Sequence, residues 1–365
     1  MAKRGWSAEK INRVRRHLLE WYEHSRRDLP WRRSLNPYSI WVSEIMLQQT
    51  RVAVVVERYQ AFMARFPTLV SLALATEQEV LSAWSGLGYY RRARMLHKTA
   101  QFVADHCQGN LPQTAEELRL LPGIGAYTAA AVASIAHGEP VAVVDGNVER
   151  VLCRIEGWKA GSRAGGGAQV RRKIEELAGK LVDPGRPGDF NQAMMELGAT
   201  LCLPRNPLCM VCPVSAVCKT QGEHQTAPRP RMQSREVAHA LSVRSGQLAG
   251  QAHREVLLEQ RPASLTVMPE LWELPMLTEA AVPEGELRMS VRHAIMQVNY
   301  YVRIRTVFED DAEAMTIPGG ARRWVPLGEA AGMALTGLTR KVLTRLRLLV
   351  AAPLDTIAAQ SDGAL

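Results

Sequence analysis

Four cysteines within seventeen positions, Cys202, Cys209, Cys212 and Cys218 in the spacing C-x6-C-x2-C-x5-C, constrain this 365-residue chain more than any other feature. Four thiolates offered by one short loop can close around a single compact centre, either zinc or an iron–sulfur cluster, and spacing alone does not choose between them. Disulfides are the alternative use of six cysteines, but they suit small secreted domains. This chain is long, and its start, Met1-Ala2-Lys3-Arg4-Gly5-Trp6, runs straight into a helical pattern with no apolar signal core. Cys107 and Cys153 lie apart on helical faces and are expected in the core.

Upstream of that cluster the sequence reads as one helix after another. Ser7 is a candidate N-cap, and apolar positions at helical spacing follow through Leu18, Leu19 and Trp21. The pattern predicts helices over Val42–Leu47, Val52–Phe62, Glu77–Trp84, Ala93–Ala104, Ala115–Leu121, Ala126–Ala136, Val148–Ile155, Val170–Leu181 and Phe190–Leu201. Residues 221–235, rich in Pro, Arg and Gln, read as a linker. Beyond it come short β-like runs at Val237–Val243, Glu255–Leu258, Asn299–Val307 and Arg323–Val325, with a closing helix between Leu338 and Leu349. The expectation is a multidomain protein: an all-α domain over 1–220, the linker, and a smaller α+β domain over 236–365. No apolar run approaches the roughly 18 residues of a membrane span. A formal charge of +9 favours a polyanionic partner.

Two motifs carry chemistry. In Leu121-Pro122-Gly123-Ile124-Gly125-Ala126-Tyr127-Thr128 the glycines permit a tight turn, and main-chain N–H groups at the start of the next helix can grip a phosphate. Val143-Val144-Asp145-Gly146-Asn147-Val148 follows, where Asp145 could cap a helix, serve as a functional carboxylate, or do both. Glu44 stands inside the apolar run Trp41-Val42-Ser43-Glu44-Ile45-Met46-Leu47. If buried, its pKa rises and it can hold a proton near neutral pH. Two acids in such different environments suit cleavage of a glycosidic bond through an oxocarbenium-like transition state.

The cysteine spacing resembles the [4Fe–4S] loop of the endonuclease III superfamily of DNA glycosylases, and the turn with its trailing aspartate resembles that superfamily's helix-hairpin-helix. The resemblance implies that Cys202, Cys209, Cys212 and Cys218 hold the cluster and that Gly123 and Gly125 contact the DNA backbone. A lysine two residues after the last hairpin glycine would give a strand-cutting lyase. Tyr127 stands there, and a phenol cannot form the required imine, so a monofunctional, water-using enzyme is expected.

Five stretches narrow the likeness to the MutY-type adenine DNA glycosylases: Asp28-Leu29-Pro30-Trp31-Arg32, Ser43 to Thr50, Gly86-Leu87-Gly88-Tyr89-Tyr90, Asp145-Gly146-Asn147-Val148 and Phe190 to Gly198. The resemblance covers residues 8–218. It implies catalytic roles for Glu44, Asp145, Tyr127 and Asn147, a base pocket lined by Arg27, Trp31 and Gln192, and a wedge of Gln49 and Tyr89 in the base stack. The implied substrate is double-stranded DNA carrying an adenine mispaired with 8-oxoguanine or guanine, and the implied role is base excision repair. The C-terminal half, through Val256 to Pro262 and Leu271 to Pro275, resembles a Nudix-like lesion-reading domain without the Glu-rich metal box of a Nudix hydrolase. Where that family carries an aromatic, a Ser or Thr and a second His shortly after a His, this chain has His293-Ala294-Ile295-Met296-Gln297. Ile295 and Met296 could be strand core instead. A cytoplasmic, nucleoid-associated monomer in a bacterium is expected. The competing readings are a thymine-mismatch DNA glycosylase and a non-catalytic DNA-binding iron–sulfur protein.

Overall fold

The computed structural model describes residues 6–158, 167–224, 231–248, 251–314 and 321–349. The chain divides into two compact units, residues 1–73 with 95–228 and residues 74–94 with 229–365.

The first unit is helical: α1 (Ala8–Ser25), α2 (Pro37–Leu47), α3 (Val52–Arg65), α4 (Leu69–Leu74, ending at the boundary), then, after α5 (Glu77–Ala83) of the second unit, most of α6 (Arg91–His106). It continues through α7 (Ala115–Leu118), α8 (Ala126–His137), α9 (Gly146–Glu156), α10 (Gly167–Leu181) and α11 (Pro187–Thr200). Local chemistry sets the ends. Asn36 accepts from the Tyr38 and Ser39 amides while Pro37 opens α2, and Asp145 caps α9, which stops at left-handed Gly157. Residues Tyr38 to Met46 of α2 are all buried, so this helix runs through the interior and shows no polar stripe. Leu18, Leu152, Leu181 and Leu197, from α1, α9, α10 and α11, share one core. Gly198 lets α11 pass against the start of α9, because a Cβ there would sit 2.5 Å from that of Asn147.

The second unit contains two sheets. In one, β6 (Val298–Thr306) lies between β1 (Gln233–Leu241), which runs parallel to it, and β5 (Leu287–Ile295), its hairpin partner. In the other, β3 (Gln251–Gln260) pairs with β2 (Val243–Leu248), β4 (Trp272–Glu273) and β7 (Arg322–Pro326). Short helices α12 (Glu309–Ala314) and α13 (Leu327–Ala330) precede α14 (Gly337–Arg345). Val256, Leu258, Val302, Ile304, Val342 and Leu343 fill the core.

Several expectations need correction. The helical domain does not hold all of 1–220, because 74–94 packs with C-terminal residues: Arg94 pairs with Glu270, and the Tyr90 hydroxyl donates to the Leu335 carbonyl at 3.0 Å. The expected linker is shorter than 221–235. Gln221 donates to Ser215 O and Glu223 accepts from the Asn206 amide, so both join the cysteine loop, while β1 already starts at Gln233. Residues 225–230 lie outside the described residues. The run Val237–Val243 breaks at Ser242 into β1 and β2, and the closing helix stops at Arg345. Strand β5 lies outside the expected β-like runs, although Met289, Val291 and Ile295 face inward and Arg288, Ser290 and Arg292 outward; only His293 breaks the apolar face. Met296 is not strand core: it sits at the β5–β6 turn with φ 54° and is 73% exposed.

Candidate active site

Helix α2 carries Glu44 into the interior, where it is only 5% exposed. Its Oε2 accepts from the Tyr127 hydroxyl at 2.5 Å. Burial raises the Glu44 carboxyl most, the Tyr127 hydrogen bond pulls it back, the Asp145 charge adds to the rise and Arg32 opposes it. The net position is about 7, where a carboxyl still carries a proton in much of the neutral range. Burial and the Glu44 charge hold the Tyr127 phenol well above its ordinary range, so it remains a donor.

Tyr127 lies in the first turn of α8, directly after the hairpin. Gly123 there adopts φ 77°, a conformation that a side chain would strain. The Thr99 hydroxyl of α6 donates to the Pro122 carbonyl and fixes the turn from behind. Helix α8 starts at exposed Gly125 with no side-chain cap, leaving its first N–H groups for an outside anion. One helix start thus carries both the uncapped turn and the partner of the buried acid.

Asp145 faces the same pocket from α9. Its Oδ1 accepts from the Val148 amide at 2.7 Å and its Oδ2 from the Asn147 side chain at 2.9 Å, so the residue that caps α9 also lines the cavity. The extended stretch before it is pinned by buried Asn191, which accepts from the Val143 amide and donates to Val141 O and to the Ser134 hydroxyl. Arg150 donates to Asn147 Oδ1 at 2.8 Å, to Gly198 O at 2.7 Å and to Cys202 O at 2.8 Å.

These groups border a cavity of about 720 Å³ within the first unit. Glu44, Asp145, Tyr127, Asn147, Arg27, Trp31, Gln49 and Gln192, eight of the residues expected from sequence, all line it. Gln49 takes φ 58°, a left-handed backbone unusual for its type. Tyr89 belongs to the second unit and does not line this cavity. Sequence reasoning missed Glu196 and Arg32. Glu196 is 1% exposed, and both its oxygens are taken by the Arg27 and Arg32 guanidinium groups at 2.7–2.9 Å. Burial would raise its pKa, but hydrogen bonds and charge from the two arginines hold it down at about 2. The signal was available: Glu196 sits in the apolar run Met194-Met195-Glu196-Leu197 much as Glu44 does in its own.

The four clustered cysteines line a second, small cavity of about 20 Å³, walled by apolar Val151, Ile155, Leu197 and Val214. Arg154 donates to Cys202 Sγ at 3.3 Å and to the carbonyls of Leu203 and Pro204. Among the described residues no three His, Cys, Asp or Glu side chains stand close enough to hold a single ion. Cys153 is in the core, and Cys107 is half-buried elsewhere. Among the described residues no helix is long and apolar enough to cross a membrane.

Residues 42–182 match the family described as HhH-GPD superfamily base excision DNA repair protein. The chain is similar to the adenine DNA glycosylases of Rattus norvegicus (48% identical over 231 residues) and Homo sapiens (49% over 220), matching 61% and 58% of its own length. Those matches span 44% and 40% of the rat and human proteins, so the chain covers less than half of either. Against the adenine DNA glycosylase of Mus musculus it is 37% identical over 403 aligned residues, spanning 91% of this chain and 77% of that one. Among solved structures it is similar to a thermostable thymine-DNA glycosylase, with TM-score 0.53 and 31% identity over 58% of this chain and 97% of that one. It shares its fold with a DNA-bound endonuclease III at TM-score 0.50 and 23% identity, over 60% of this chain and 98% of that one. A likeness that runs through both units at this identity, joined to the helix-hairpin-helix match over the site, means that the chain belongs to the adenine DNA glycosylase family.

Proposed function

We propose that this protein is a monofunctional DNA glycosylase that hydrolyses the bond between a mispaired adenine and its deoxyribose. The observation that carries the reading is the pairing of two unlike acids across one cavity: Glu44, buried and pushed up to about 7, and Asp145, held by an amide and an asparagine. The duplex is gripped through a phosphate at the Gly123–Gly125 turn, and the adenine is extruded into the cavity, where Arg27, Trp31 and Gln192 receive it. Glu44 donates its proton to the departing base, most directly at N7, and the C1′–N9 bond breaks with its electrons leaving on adenine. Asp145 stabilises the oxocarbenium cation, Asn147 and Tyr127 hold the two acids, and water adds at C1′, losing its proton to the carboxylate that Glu44 has become. Tyr127 offers no amine to trap the sugar, so the strand stays intact.

The thiol cavity belongs to the same proposal. Cys202, Cys209, Cys212 and Cys218 are soft donors lining one apolar space, the donor set that suits a [4Fe–4S] cluster. When bound, the cluster would supply a cross-link that fixes the loop after α11. The C-terminal α+β unit would act as a Nudix-like reader of the opposing base, 8-oxoguanine or guanine. With Met296 at its turn, it does so without the hydroxyl and second histidine usual there. The protein would work as a monomer on chromosomal DNA in a bacterial cytoplasm.

The test is an assay of base release from duplexes with adenine opposite 8-oxoguanine or guanine, and thymine opposite guanine. Free adenine, with strand breakage only after alkali, is the expected result. Free thymine would replace the reading with the thymine-mismatch one, which the likeness to a thymine-DNA glycosylase keeps in view. A borohydride-trapped adduct would overturn the monofunctional mechanism.

A further inference from the structure

The segment Leu74–Arg94 ends in a strained turn inside the second unit. Gly86 and Gly88 take φ 95° and 68°, and Tyr89, a bulky L-residue, takes φ 47°. Such an outlier persists only where the surroundings over-determine it, and it points to use. Trp84, Leu87 and Tyr90 around it are buried, whereas Tyr89 is 51% exposed. The turn's carbonyls are drawn inward: Trp84 Nε1 donates to Gly88 O at 3.1 Å, and Arg92 Nη2 donates to Leu87 O at 3.1 Å and to Gly88 O at 3.2 Å. The Arg92 guanidinium lies 5.5 Å from the Tyr89 ring. An outward ring on a rigid turn beside an arginine is a stacking platform for an unstacked nucleobase.

What braces that platform comes from some 250 residues away in sequence. The Tyr90 hydroxyl donates to Leu335 O, and the Ser82 hydroxyl donates to Gly332 O. Arg340 of α14 donates from Nε to the Ser85 hydroxyl at 2.6 Å, and from Nη2 to Ala331 O and Met333 O at 3.2 and 3.1 Å. Arg340 therefore ties the 331–333 turn and the root of the Tyr89 turn to one guanidinium, and Ser85 at that root is buried.

We propose that Arg340 is a positioning residue for the Tyr89 ring: the C-terminal sequence builds part of the base-stacking surface. This rests on the reading of duplex DNA as substrate. The experiment is a double-mutant cycle on the full chain, reading the Kd for a duplex whose mispaired nucleotide is 2′-fluoro-deoxyadenosine, which resists cleavage, by fluorescence anisotropy. Tyr89→Ala is expected to weaken binding about tenfold, the scale of one lost base–aromatic stack. Arg340→Ala is expected to lose about as much, and the double variant no more than Tyr89→Ala alone, because Arg340 acts through the ring. Additive losses, or wild-type binding by Arg340→Ala, would overturn the proposal. Thermal melting checks that Arg340→Ala folds. If it does not, Ser85→Ala and Tyr90→Phe, each lacking one hydroxyl of the brace, go through the same cycle, where additive losses or wild-type binding again overturn the role of the brace. Adenine release by the wild-type preparation is measured alongside. Its absence would sink the glycosylase reading, whereas release together with additive losses would sink only the role of Arg340.

Discussion

Replacing Glu44 by glutamine separates what the acid does for catalysis from what it costs the fold. The carboxyl has an ordinary value of 4.5 and is pushed up to about 7 in its buried place. A folded-state pKa above the unfolded one means that the native state holds the proton more tightly. The contribution to stability is intact below about 4.5 and is lost as pH rises, reaching its full penalty above about 7. At 1.36 kcal/mol per unit, the penalty is about 3 kcal/mol. Glutamine keeps the size of the side chain and an oxygen to accept from Tyr127, but it never ionises. Glu44→Gln should therefore match the wild type in urea denaturation near pH 4 and exceed it by about 3 kcal/mol at pH 8, while releasing no adenine at any pH. The stability difference, followed across pH by the urea midpoint, is the decisive quantity. A difference that stays flat from pH 5 to 8 would mean that Glu44 is not a desolvated acid, and the proton-donor role would go with it.

Three further outcomes follow from the same pocket. Tyr127→Phe removes a hydrogen bond that lowers the Glu44 pKa, so the alkaline limb of single-turnover adenine release should move up by about one unit, the size of one hydrogen bond to a charged group; a limb that stays put or moves down refutes the coupling. Asp145→Asn keeps an acceptor for the Val148 amide but removes the charge that faces the cation, so turnover should disappear while duplex binding by gel shift survives. Asn191→Ala strands the Val143 amide and the Val141 carbonyl in the interior and should cost about 2 kcal/mol in stability, measured by chemical denaturation, together with a lower single-turnover rate at unchanged duplex Kd.

The residues that line the candidate pocket were legible because they stand where local rules cannot otherwise justify them. An acid in the run Trp41 to Leu47 has no solvent face to occupy once the whole helix is apolar, and the glycine–aspartate spacing after Leu121 demands a turn followed by a cap. Glu196 obeyed the same logic, but its partners Arg27 and Arg32 lie some 165 residues upstream, and no periodicity announces a pairing at that separation. The second unit was harder for a related reason. Strand β1 runs parallel to β6, about 65 residues downstream, and the 74–94 segment joins it through carbonyl acceptors at Gly332 and Leu335 whose side chains carry no signal. Main-chain acceptors are invisible to a reading based on residue type.

Helix α9 shows why the two cavities of the first unit should be understood together. Its cap is Asp145, its first turn holds Asn147, and its next two turns present Arg150 and Arg154 on one side, as i, i+4 spacing requires. Arg150 bridges the Asn147 side chain to the Cys202 carbonyl, and Arg154 reaches Cys202 Sγ and the carbonyls just beyond it, while the Cys218 thiol donates to the Arg154 carbonyl at 3.4 Å. Each guanidinium makes two hydrogen bonds to main-chain oxygens of the 198–204 segment. A loop that wandered would therefore leave charged donors unmet in a half-buried place and loosen the amide that braces Asp145. Fixing the cysteine loop and fixing Asp145 are, along this helix, one mechanical requirement.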